Sequence, residues 1–164
     1  MLENLLDLIK QHAGEAITNN PAIPNSQNDA AVAEAGNSIV NGLKDMISQG
    51  KVQDVLSLLQ GHGGNVASNP TVQNISGNFV QSLMDKFGLG QGQANGIASS
   101  IIPNVIQSLI HKTNDPNDNS FSIEGILSHL TGGQQGGLEG LLGNLTQGGA
   151  GGIMDKIKGL FGNA

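Results

Sequence analysis

The sequence predicts an all-α protein: a helical bundle built from two related helical units, followed by a Gly/Leu-rich C-terminal tail. Three observations carry this. Apolar residues recur three and four apart, and the alternation of a half-buried strand is absent. A long stretch repeats at an offset of 50 residues. The apolar side chains are mainly Leu, Ile, Val and Ala, with no Trp or Tyr and only four Phe, a composition that suits packed helices.

The repeat opens the chain. Residues 2–19, LENLLDLIKQHAGEAITN, align with residues 52–69, VQDVLSLLQGHGGNVASN. The offset pairs Leu5 with Val55, Leu6 with Leu56, Leu8 with Leu58 and Ile9 with Leu59. It also pairs His12 with His62, Gly14 with Gly64 and Asn19 with Asn69. With the offset one shorter, Asn20-Pro21 recurs as Asn69-Pro70. Leu2, Leu5, Leu6 and Ile9 share one helical face, as do Val52, Val55, Leu56 and Leu59. Gly14 in the first unit, and Gly61, Gly63 and Gly64 in the second, supply stops.

Longer helices follow each repeat helix. Residues 29–49 carry Ala31, Val32, Ile39, Leu43, Met46 and Ile47 at helical spacing, with Asp29 as candidate N-cap. Residues 71–87 place Val72, Ile75, Phe79, Val80, Leu83 and Phe87 inward. Residues 93–112 form a third pattern, in which Pro103 should kink the helix or mark its first turn. Residues 39–47 resemble 102–110, which gives the second unit a helix-sized insertion around 77–92. Residues 36–45, GNSIVNGLKD, also resemble 77–86, GNFVQSLMDK. The expected organisation is a first helical unit over 1–50, a second with the inserted helix over 51–112, and a polar loop plus tail over 113–164. Five to seven helices are expected up to residue 112.

In the last segment, 113–122 is a polar loop and 123–130 a short helix capped by Ser122. Residues 131–152 are rich in Gly, Gln and Leu. Twelve glycines lie between 132 and 162, each costing about 1 kcal/mol inside a helix, so the tail should order only on contact.

Composition excludes several functions. The chain has 164 residues and no Cys, which removes disulfides, Cys-ligated zinc or iron–sulfur sites and a thiol nucleophile. Net charge is −6, and all seven cations are lysines, scattered along the chain. Without arginine there is no bidentate fork for phosphate or guanine. Nucleic acid is therefore disfavoured as a partner, and so is a phosphorylated substrate. The start, Met1-Leu2-Glu3-Asn4, lacks a signal peptide's basic region and apolar core, and no apolar run is long enough to span a bilayer. A soluble cytoplasmic protein is the expectation.

Candidate sites each admit two readings. His12 and His62 end equivalent helices: they could form a metal pair helped by His111 or His129, or simply favour a helix C-terminus as cations or capping donors. No carboxylate or Cys sits at ligand spacing beside them, so no metal or cofactor is expected. The loop Asp115-Pro116-Asn117-Asp118-Asn119-Ser120 starts like a calcium loop, but Ser120 and Ile126 stand where a Gly and a carboxylate are needed. Asp and Asn also make ordinary turns. There is no GxSxG, Walker or HExxH motif, and Gly88, Gly90 and Gly92 do not match a dinucleotide fingerprint. A non-enzymatic protein is expected. The segment from Lys86 to Ser100, with turn Phe87-Gly88-Leu89-Gly90, has a helix–turn–helix outline. The acidic balance favours a plain hairpin. In the tail, Ile153, Met154, Ile157, Leu160 and Phe161 form an apolar stripe opposite Asp155, Lys156 and Lys158. It would dock in a groove of another copy or lie on a membrane surface, the former being preferred.

The stretches KFGLGQGQANGIASSIIPNVIQSLIHKTNDPND (86–118) and FSIEGILSHLTGG (121–133), with the Gly/Leu tail ending near GLFG, resemble the YidB-like bacterial proteins of unknown function. The similarity covers roughly residues 52–164. It implies a bacterial, all-helical protein with a homeodomain-like arrangement of helices, and it implies no catalytic residues.

The expected function is protein–protein contact, chiefly self-association or a scaffold role, with a homo-oligomer or another protein as partner. The amide-rich, weakly charged surface offers little repulsion between copies. Leu138, Leu141, Leu142 and Leu145, with Ile153, Met154, Ile157, Leu160 and Phe161, are the expected assembly contacts. A homeodomain-like nucleic-acid binder and a peripheral membrane protein are the alternatives.

Overall fold

A computed structural model describes residues 2–132. Within them lie six α-helices and no strand: α1 Leu2–Ala13, α2 Asn28–Ser48, α3 Val52–Leu59, α4 Pro70–Phe87, α5 Gln91–Thr113 and α6 Ile123–Leu130. A π turn, Gly14–Thr18, follows α1, and a 3-10 turn, Val66–Ser68, follows α3. Met1–Ile126 form one compact unit. The expected all-α bundle is what the chain forms.

In that unit α4 packs on both α2 and α5, while α1 and α3 each contact α2 and α5. Both short turns also rest on α5. The repeat is visible in the order of elements: helix, turn and long helix occur twice, as α1–π turn–α2 and as α3–3-10 turn–α4. The aligned residues Leu5 and Val55, Leu8 and Leu58, and Ile9 and Leu59 are all buried. In the long helices the inward pairs are Ala31 and Thr71, Val32 and Val72, Ala35 and Ile75, Ile39 and Phe79, and Leu43 and Leu83. Phe79 is fully enclosed, and α5 adds Ile97, Ile101, Ile102, Val105 and Ile106 to the same core.

Local chemistry explains the boundaries. Gly50 and Gly61 have φ of 79° and 78° and end α2 and α3 in the same way. Each places its own amide and the next on the last-turn carbonyls: Gly50 N–H donates to Ile47 O (3.0 Å) and Lys51 N–H to Met46 O (2.9 Å), while Gly61 N–H donates to Leu58 O (3.0 Å) and His62 N–H to Ser57 O (2.9 Å). This double closure needs a left-handed residue that glycine adopts freely. Asn69 starts α4 by accepting the Thr71 amide at 2.9 Å, with Pro70 in the first turn where no N–H is needed. Ser122 Oγ accepts the Gly125 amide at 3.0 Å, the cap expected for α6.

Three local expectations are corrected. Leu2, in the first turn of α1, is 41% exposed. Asp29 does not cap α2. The helix starts at Asn28 after a 3-10 turn, Asn25–Gln27, so Asp29 lies inside the first turn with its side chain in solvent. Pro103 does not start a helix either. It lies inside α5, which runs on to Thr113. Ile101, Ile102, Val105 and Ile106 are buried on either side of it. Packing on both flanks holds the helix through the missing backbone bond.

Candidate functional site

The four histidines do not converge. His12 is half-buried at the end of α1, and its Nε2 shares a 2.8 Å hydrogen bond with Ser108 Oγ on α5. His62, His111 and His129 are exposed. The repeat thus keeps the residue type but not its role: His12 ties two helices together, and His62 reaches water. Among the described residues no three His, Asp or Glu side chains cluster as a metal would need.

The 115–120 loop spends its carboxylates on its own fold. Asp115 Oδ1 accepts the Asn117 amide at 2.9 Å, and Asp118 Oδ1 accepts the Ser120 amide at 2.9 Å. Lys112 Nζ donates to the other Asp118 oxygen at 2.9 Å. The Lys112 hydrogen bond, aided by Ser120, holds the Asp118 carboxyl down at about 2. These are two successive Asx turns. Asn114 works nearby, donating from Nδ2 to Leu59 O at 3.0 Å and to Ile110 O at 2.7 Å. It thereby links the open end of α3 to α5.

The helix–turn–helix segment, Lys86 to Ser100, spans the end of α4, the turn 88–90 and the first part of α5. Its one lysine, Lys86, donates to Glu34 Oε2 on α2 at 2.7 Å. Burial pushes the Glu34 carboxyl up, but hydrogen bonds from Lys86, Ser82 and Asn37 outweigh it, so the group stays below the ordinary carboxylate range. A lysine committed to a carboxylate is a poor phosphate contact.

What distinguishes this part of the molecule is the absence of charge. Between Asp54 and Lys112 the sequence contains only Asp85 and Lys86 among Asp, Glu, Lys and Arg. Residues 2–54 hold ten such groups. The exposed side of α5 accordingly carries Gln91, Gly92, Asn95, Gly96, Ser99 and Ser100. Clefts flank this ridge on both sides. One, about 320 Å³, is lined by Gln73, Ser76, Gly77 and Val80 of α4 and by Asn95, Ala98, Ser99 and Pro103 of α5. The other, about 300 Å³, is lined by Ala16, Asn20, Gly92, Gln93, Gly96, Ile97 and Ser100. A third, about 280 Å³, lies where the glycine-rich turn after α3 meets Gln107, Ile110 and His111. None is lined by a lysine or a carboxylate.

The helical glycines divide sharply. A Cβ on Gly36 would come within 3.1 Å of Leu6, and one on Gly42 would collide with the Ile75 side chain. Those two glycines let α1 and α4 approach α2. A Cβ on Gly77, Gly92 or Gly96 would meet nothing within 4 Å. Gly77 and Gly96, inside their helices, each cost about 0.5–1 kcal/mol relative to Ala, and no packing among the described residues requires them. Sequence reasoning missed this face. The signal was present as the long run without charged residues, but only the fold shows that α4 and α5 bring it together.

The expected assembly contacts, Leu138, Leu141, Leu142, Leu145, Ile153, Met154, Ile157, Leu160 and Phe161, lie outside the described residues. Comparison with protein-family models, curated proteins and solved structures finds no match.

Proposed function

We propose that this protein acts by protein–protein contact, through self-association, and not by catalysis. The observation that carries the reading is the grooved, nearly uncharged surface of α4 and α5, with only Asp85 and Lys86 between Val55 and His111, on a chain whose net charge is −6. Such a surface lacks the cations for nucleic acid. It also lacks the convergent titratable groups of a general acid–base site. It retains exposed amides, hydroxyls and clefts, which suit a wet protein–protein contact. The leucine-rich segments around Leu138 to Leu145 and the stripe from Ile153 to Phe161 supply apolar surface that a second chain would cover.

No helix among the described residues is long and apolar enough to cross a membrane, so a membrane role would rest on surface attachment through residues 153–161. The test is light scattering with size exclusion across a concentration series, on the full chain and on a chain ending at Thr131. Self-association predicts a mass that rises with concentration and falls back on truncation. A constant monomer mass for both overturns it.

A further inference from the structure

We draw no further inference here: the strongest candidate, the cleft between α4 and α5 beside the exposed ridge of Asn95 and Ser99, is the surface on which the self-association reading already rests, and nothing among the described residues shows what covers it.

Discussion

Helices α2 and α4 each follow a short helix and a turn, yet their glycines face different surroundings. Gly36 and Gly42 of α2 are buried and lie against Leu6 and Ile75. Gly77 of α4, with Gly92 and Gly96 of the adjoining α5, is exposed with open space where a Cβ would stand. The charge follows the same division. The first half carries ten charged residues before position 55, and the second half, with α5, carries two before Lys112. In the first half the buried helical glycines serve the packing of α2 against α1 and α4, and Glu34 pairs with Lys86 of α4. The other half has small residues and grooves that no packing among the described residues uses. That contrast, more than any single residue, is why the functional reading settles on α4 and α5.

The contrast can be broken or sharpened by substitution. The largest effect is expected from Phe79→Ala, which empties the fully enclosed aromatic position of the second half. It should cost about 3–5 kcal/mol in denaturant unfolding, and a loss below about 1 kcal/mol would mean that the core is not packed around α4 as described. Gly42→Ala comes next. Its methyl must displace Ile75, so a loss of about 1–3 kcal/mol is expected. Gly77→Ala should move in the opposite direction, stabilising the monomer by about 0.5–1 kcal/mol. Equal signs for these two glycines would erase the distinction between the halves.

The smallest effect concerns the 115–120 loop. Its Asp118 carboxyl is held below its ordinary value of 3.8, at about 2. The contribution of the Lys112 pair is present above pH 3.8 and disappears as pH falls through about 2. Because the loop is surface-exposed, the change should be local: nuclear magnetic resonance shifts of Ser120 and Lys112 titrate while those of α2 stay fixed. Movement of α2 over the same range would contradict a local pair.

Much of the fold was legible in the sequence, because long amphipathic helices announce themselves by period. The expected spans 29–49, 71–87 and 93–112 differ from α2, α4 and α5 by no more than two residues at either end. The misreadings arise where local chemistry was offered two solutions. Asp29 is a good cap in isolation, but the 3-10 turn before Asn28 sets the helix start. Asn20-Pro21 and Asn69-Pro70 look equivalent, yet only Asn69 starts an α-helix. Asn20 Oδ1 instead accepts the Ala22 amide in a turn well before α2. His12 and His62 match in sequence and differ in surroundings, because Ser108 faces only His12. The site was less legible than the fold. An absence of charge is not a motif, and its meaning appears only when packing shows which uncharged residues share a surface.

The most direct test of the account is amide hydrogen exchange on the full-length chain at low and high protein concentration. The account predicts slower exchange at high concentration on the exposed side of α5, residues 91–104, and along the facing part of α4, residues 73–80, with α1 and α2 unchanged. Protection that appears on α1 and α2 instead, or no concentration dependence anywhere in residues 2–132, would contradict it.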